Sequence, residues 1–218
     1  MMEVTLIDKM GTDLTVVNAA RVSFGKKKKK FTDGDARLIN YLARHNHWTP
    51  FGHCSLQFHI VAPVFVARQL VKHQVGLVWN EISRRYVDTS PEYYTPEKWR
   101  LKADDKKQGS SEEVYYNDAP PNNKDNPHRI PSYETICENA AEIYKSMLTV
   151  GVCPEQARMV LPQSMMTEWY WSGTLMAFSR ICNLRCKPDT QKETREVAEI
   201  INTLVEAEFP VSWKALRK

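Results

Sequence analysis

Hydrophobic and polar positions alternate with a period of two from Leu56 to Ile60, where Gln57 and His59 separate Leu56, Phe58 and Ile60. That pattern predicts a half-buried strand with the apolar set turned inward, and Pro63 closes it and suits the first turn of a helix. A weaker alternation over residues 3–7 predicts a short first strand. Between these two, Thr12 or Asp13 can cap a helix running to about Val22. Asp33 or Asp35 can start another, whose stripe Leu38, Ile39 and Leu42 ends near Arg44. Residues 45–50 carry loop chemistry. In the helix after Pro63, Val64, Ala67 and Val71 fall on one side, and Arg68, Gln69, Lys72 and His73 form one polar stripe. Gly76 breaks that helix. Residues 80–87 follow with strand character; if extended, they turn Glu81, Ser83 and Arg85 to one side and Asn80, Ile82, Arg84 and Tyr86 to the other.

Residues 88–130 change character, holding five of the twelve prolines (Pro91, Pro96, Pro120, Pro121 and Pro127) among charged and Asn-rich stretches. They read as a long surface excursion, with the pairs Tyr93-Tyr94 and Tyr115-Tyr116 favouring some packing. After Pro131 the spacing of Ile136, Ala140, Ile143 and Met147 predicts a helix that Gly151 caps. Pro154 and Glu155 open a short helix carrying Arg158, and a long helix is predicted from about Ser164 to Leu184. The last predicted helix carries Val197, Ile200, Ile201, Leu204 and Val205 before Pro210. With no internal repeat, the sum is one α+β domain over residues 1–218. Its mostly antiparallel strands lie in the first half and helices dominate the second.

A chain of 218 residues with 42% hydrophobic and 26% charged residues can bury a core, which excludes disorder throughout. No stretch reaches the roughly 18 to 20 apolar residues of a membrane span, and the first residues lack the layout of a secretory signal, so a cytoplasmic protein is expected. The five cysteines are scattered and predict no disulfide framework. Cys182 and Cys186, four apart, read as buried thiols, because no second pair matches them as a metal site requires. Lys26 to Lys30 account for the basic balance, since without them the net charge of +4 becomes −1. Lacking interleaved aromatics, the run reads as a solvated loop in preference to a nucleic-acid arm.

The densest functional chemistry lies in residues 68–86. Two adjacent arginines beside a carboxylate and a hydroxyl can grip a phosphate while Glu81 and Ser83 take ribose or amide groups, or the segment is a surface strand bearing salt bridges. Histidines 45, 47, 53, 59 and 73 match no helical pair and have no carboxylate cluster, so no metal is expected. His47 and His73 suit loop, phosphate or cofactor contacts, and His59 suits strand packing.

Five ordered motifs narrow this further. They are residues 19–24 (Ala-Ala-Arg-Val-Ser-Phe), 47–53 (His-Trp-Thr-Pro-Phe-Gly-His), and Phe65 to Gln69 leading through His73 to residues 80–86 (Asn-Glu-Ile-Ser-Arg-Arg-Tyr). In the second half come residues 157–162 (Ala-Arg-Met-Val-Leu-Pro) and 183–185 (Asn-Leu-Arg). Together they resemble flavin-dependent thymidylate synthase over nearly all of the chain outside the excursion. The resemblance implies methylation of dUMP with methylenetetrahydrofolate as carbon donor, FAD as hydride carrier and NADPH as reductant, in a homotetramer with shared sites. It implies that Gln69, Lys72, Glu81, Ser83, Arg84, Arg85, Arg158 and Arg185 bind the nucleotide, with Arg185 stabilising charge that develops on the uracil. Ser23, His47, Thr49, Lys72, His73, Gln74, Glu81, Thr174, Met176 and Arg180 would contact FAD. The sequence departs from the family where Lys72-His73-Gln74 replaces Arg-His-Arg and where the gap from His73 to Ser83 is one residue longer. Thr174 and Met176 also replace an Asn and an Arg, while Arg180 takes an Asn position and can restore the missing charge. The rival readings are a non-enzymatic nucleic-acid-binding protein using Lys26 to Lys30 with Arg84 and Arg85, and a flavoprotein of the same fold acting on another pyrimidine nucleotide.

Overall fold

The computed structural model describes residues 1–104, 109–114 and 133–217. In chain order the elements are β1 (Glu3–Met10), α1 (Asp13–Arg21), α2 (Asp33–Arg44), β2 (Ser55–Pro63), α3 (Val64–Leu70), β3 (Leu77–Glu81), β4 (Arg100–Lys102) and β5 (Ser110–Val114). Then come α4 (Tyr133–Thr149), α5 (Pro154–Ala157), β6 (Met166–Thr174), α6 (Leu175–Arg185), α7 (Lys192–Glu208) and α8 (Pro210–Leu216). The class is α+β, with an antiparallel four-stranded sheet ordered β1-β2-β6-β3 and a separate antiparallel ladder of β4 and β5.

The second half supplies the strand at the sheet's centre, which corrects the long helix expected over 164–184. Residues 166–174 are β-branched and aromatic with a period of two: Thr167, Trp169 and Trp171 are buried, while Glu168, Tyr170 and Ser172 face the other way. Phe58 pairs with Trp171 and Ile60 with Trp169, so the inward face of β2 is continuous with that of β6. Phe178 of α6 closes over it, its ring centroid 5.0 Å from Phe58 and 5.4 Å from Trp171. Gly173 is required where β3 crosses, since a Cβ there would stand 2.5 Å from Leu77 Cδ2 and 2.7 Å from the Gly76 carbonyl. The opposite face is polar: Gln57 Nε2 donates to Ser172 Oγ at 3.0 Å, and His59 Nε2 lies 3.0 Å from Glu168 Oε2, which gives the expected strand histidine a carboxylate partner.

Other expectations move by a turn or a face. The inward side of α3 is Val66, Ala67 and Leu70, and Val71 is exposed. The helix ends at Leu70, so Lys72 and His73 leave the predicted stripe for the following turn. The strand expected over 80–87 is displaced to Leu77–Glu81, and Ser83 to Tyr86 form a turn in which the Tyr86 N–H donates to the Ser83 carbonyl at 2.9 Å. On α4, Cys137, Ala140 and Tyr144 face inward, while Ile136 and Ile143 are exposed. Gly151, at φ +87°, ends that helix region as expected. Helix α7 follows its predicted stripe through Val197, Ile201 and Val205, with Ile200 outside, and Pro210 opens α8 where the chain was expected to stop being helical. Within the excursion, Tyr93 pairs with Met165 and the Tyr94 carbonyl accepts from Tyr133. Tyr115, Tyr116, Pro120, Pro121, Pro127 and Pro131 lie outside the described residues.

The lysine loop is anchored through Lys28, with the Lys26 N–H also donating to the Arg21 carbonyl at 3.3 Å. The Asn18 side chain brackets the Lys28 backbone with bonds of 2.7 and 3.0 Å, and Lys28 Nζ bonds the carboxylate of Asp35, which is 0% exposed. Arg21 Nη2 reaches the other oxygen of Asp35 at 3.0 Å. Burial pushes the Asp35 pKa up, but bonds from Lys28, Thr32 and Arg21 outweigh it and hold the carboxyl far below the usual range.

Candidate active site

Helix α6 brings Arg185, its last residue, against the turn that follows α3. Arg185 Nε donates to His73 Nε2 at 3.0 Å, and Nη2 donates to the Gln69 carbonyl at 3.4 Å. An arginine N–H can only donate, so His73 Nε2 accepts and the neutral ring carries its proton on Nδ1. The electrostatics agree: burial first, then the Arg185 charge, lower the His73 pKa from its ordinary value. Arg185, distant in sequence, thus joins Gln69 and His73 in one cluster. Lys72 and Gln74 flank it on the exposed side of the turn.

A second cluster starts where β3 ends. Glu81 accepts from Trp79 Nε1 at 3.1 Å and from Thr167 Oγ1 at 2.7 Å, so β6 fixes the carboxylate that the motif supplies. Ser83 Oγ accepts from the Arg85 backbone N–H at 3.3 Å and from Arg85 Nε at 3.4 Å, and Arg85 Nη1 lies 3.8 Å from Glu155. Arg84 turns instead to the Thr89 carbonyl. The adjacent arginines therefore diverge and do not make one fork. Arg158 is exposed in the short turn after α5, the segment that Glu155 links to Arg85. The contacts of Arg85 are long and exposed, so an anion can replace them at little cost.

Of the remaining candidate residues, Met176 and Arg180 line a cavity of about 320 Å³ between α2, the turn Thr49–His53, α6 and α8, together with Trp48, Phe51 and Asn183, whereas Ser23, His47, Thr49 and Thr174 lie outside its lining. Thr174 caps α6, accepting from the Ala177 N–H at 3.1 Å, which directs Met176 and Arg180 from its first turns. Arg180 is exposed, and Thr49 starts the turn beside Trp48. His47 stacks edge-on to Tyr41, with ring centroids 5.9 Å apart. Ser23 is exposed in the turn Val22–Phe24, in the same region of chain as the lysine loop. Among the described residues, no three His, Cys, Asp or Glu side chains come together as a metal would need.

Sequence reasoning missed the partners of Gln69. Its Nε2 bonds Gln191 Oε1, Gln191 Nε2 donates to Glu193 Oε2 at 3.1 Å, and Arg100 Nη2 donates to Glu193 Oε1 at 2.8 Å. Arg100 Nε in turn donates to Ser110 Oγ at 2.6 Å, which ties the row to the β4–β5 ladder. The only local signal was an acid in the first turn of a helix, the ordinary place for one. Thr167, the partner of Glu81, was hidden inside a segment read as helix.

The family described as thymidylate synthase complementing proteins matches residues 5–211. A flavin-dependent thymidylate synthase of Thermus thermophilus is 38% identical over 215 residues, covering 99% of this chain and 75% of that protein. One from Kosmotoga olearia is 37% identical over 212 residues, covering 97% and 88%. Among solved structures, a UMP/dUMP methylase, PolB, from Streptomyces cacaoi bound with 5-Br dUMP superposes with a TM-score of 0.83 at 30% identity, covering 99% of this chain and 94% of that one.

Proposed function

The chain belongs to the flavin-dependent thymidylate synthases, the thymidylate synthase complementing family, and from that premise we propose how its residues methylate dUMP to dTMP. Methylenetetrahydrofolate gives the carbon and NADPH the reducing equivalents. The observation that carries the reading is the convergence of Gln69 and His73 from one segment with Arg185 from another, more than 110 residues away. Two of the five N–H donors of the Arg185 guanidinium hold His73 and Gln69, which leaves three to meet the pyrimidine edge as negative charge develops there. Neutral His73 takes no part as an acid; it fixes the plane of the fork by accepting from Nε. Glu81, Ser83, Arg84, Arg85 and Arg158 hold the ribose and phosphate, with the phosphate displacing Arg85 from its weak contacts and meeting the exposed Arg158. Lys72 adds a point charge.

The donor set fits a flavin. An apolar cavity edged by Trp48 and Met176, with the guanidinium of Arg180 at its rim, can take one end of FAD and neutralise its diphosphate. Ser23, His47, Thr49, His73, Gln74, Glu81 and Thr174 complete the set that would hold it. Bound flavin supplies the hydride; no cysteine is needed as nucleophile. The cavity is smaller than a dinucleotide. Large apolar side chains beside site residues also lie in solvent on the single chain: Phe24 (78% exposed) beside Ser23, Val75 (76%) beside Gln74, and Tyr86 (79%) beside Arg85. These support a homotetramer in which neighbouring copies complete each site.

The test is anaerobic reduction of the yellow protein by NADPH with and without dUMP, then product analysis after adding the folate, with UMP run in parallel. Flavin bleaching followed by dTMP is expected. A protein that takes up no flavin, or whose reduced flavin yields only a product from UMP, would displace this reading. Arg180→Ala is expected to weaken FAD affinity, and unchanged affinity would remove Arg180 from the cofactor set.

A further inference from the structure

We infer that Glu193 is a positioning residue for substrate recognition: acting through Gln191, it locks the Gln69 side-chain amide so that Oε1 is presented to the nucleotide and position 69 selects a hydrogen-bond donor. The inference rests on the assignment of Gln69 to the nucleotide site.

The two ends of a glutamine amide have the same shape, so chemistry decides which way each points. Glu193 is 4% exposed and takes Arg100 Nη2 at 2.8 Å. Burial raises its pKa, but the bonds from Arg100, its own backbone N–H and Gln191 more than offset this, so it is ionised and can only accept. Gln191 must therefore turn Nε2 to Glu193, which leaves Oε1 toward Gln69. Gln69 in turn must spend Nε2 on Gln191. Reversing Gln191 would set its oxygen against the carboxylate and its NH₂ against the NH₂ of Gln69, and reversing Gln69 would set oxygen against oxygen. The order is imposed from the β4–β5 ladder, where Ser110 holds Arg100. An outward Oε1 repels phosphate oxygens and accepts from a ring N3–H or a ribose 3′-hydroxyl.

The alternative is that Glu193 merely fastens α7 to the ladder, and the test separates the two. Glu193→Gln keeps the volume but can present either end of an amide, so the lock is lost. Adding Gln191→Glu returns an acceptor-only group beside Gln69. Affinities of the holoenzyme for dUMP, 3-methyl-dUMP and 2′,3′-dideoxy-UMP are measured by calorimetry. The parent is expected to prefer dUMP over the analogue that lacks the matching donor, and the two analogues tell ring from ribose. In Glu193→Gln that preference falls roughly three- to tenfold, the size of one neutral hydrogen bond, and the double variant regains it. An unchanged preference in Glu193→Gln overturns the inference, as does a loss that the double variant does not restore. Without ligand, the Gln69 side-chain NH₂ resonance, identified by its absence in Gln69→Glu, should exchange slowly in the parent and the double variant and fast in Glu193→Gln. Equal exchange in all three also overturns it. If the parent binds no dUMP, the nucleotide assignment fails, and the exchange measurement alone then decides whether the lock exists.

Discussion

Replacing Arg185 with alanine removes a guanidinium from the C-terminal end of α6 and with it two bonds, to His73 Nε2 and the Gln69 carbonyl. Neither acceptor is fully buried, so water can take the place of the lost donor, and the stability cost is about 0.5–1.5 kcal/mol for each bond at most. The catalytic cost is larger. The guanidinium is fixed before substrate arrives, and removing one such preorganised donor commonly costs about 10²–10³ in rate, about 2.7–4 kcal/mol of barrier. Arg185→Ala should therefore form dTMP at least about 100-fold more slowly while keeping its flavin, because the cavity proposed for the cofactor is lined by Trp48, Phe51 and Met176 and not by Arg185. Arg185→Lys should recover only part of the loss, since an ammonium keeps the charge but cannot hold His73 and meet the ring with a planar fork. Single-turnover dTMP formation at saturating substrates, with flavin content measured on each variant, is the assay. Parent-rate turnover in Arg185→Ala, or activity lost only because flavin is lost, would refute the assignment.

Three further outcomes are expected. The acid limb of nucleotide binding should fall below the ordinary histidine value of 6.5, because burial and Arg185 lower the pKa of His73; neutral His73 supports the cluster above that range and fails it as pH drops through the folded value. An identical acid limb in His73→Asn would assign it elsewhere. Asp35→Asn should cost about 3–5 kcal/mol by leaving Arg21 and Lys28 without their buried partner. Because the Asp35 pKa is depressed, that difference is present above the carboxylate range and shrinks as pH falls toward the folded value; an equal difference at neutral and strongly acid pH in urea melts would contradict this. Cys186, brought down to about 7 chiefly by a Cys182 hydrogen bond, is the thiol beside Arg185, yet Cys186→Ser should keep turnover within about tenfold. Loss of a trapped covalent adduct in that variant would give the thiol a chemical role.

How much was legible in the chain varies with how far each signal reaches. Residues 56–60 declared themselves because a half-buried strand writes its burial into every second residue. The central strand β6 carries the same alternation, yet it runs into α6 with no proline or polar cluster between Thr174 and Leu175, so strand and helix merge into one apparent helix. The candidate nucleotide residues could be picked out as motifs because each lies in a short ordered block, whereas Thr174, Met176 and Arg180 lie outside those blocks and the partners that support Gln69 and Glu81 gave no local signal. Gln69 meets Gln191 across 122 residues and Arg100 meets Glu193 across 93, and no local pattern marks a pair that only the tertiary fold brings together. The unpunctuated junction that concealed β6 also bears on the chemistry. Because the central strand passes into α6 without a loop, the eleven residues of α6 carry Arg185 on a rigid arm of roughly 16 Å from the sheet to the His73 turn. A guanidinium at the C-terminal end of that arm sits where the helix dipole favours a cation. Its position is thus set by the core, through Phe178 against Phe58 and Trp171, and not by the substrate it awaits. A substitution in that packing is accordingly expected to slow turnover by moving Arg185, with the residues proposed to bind the nucleotide in the turn after β3 left in place.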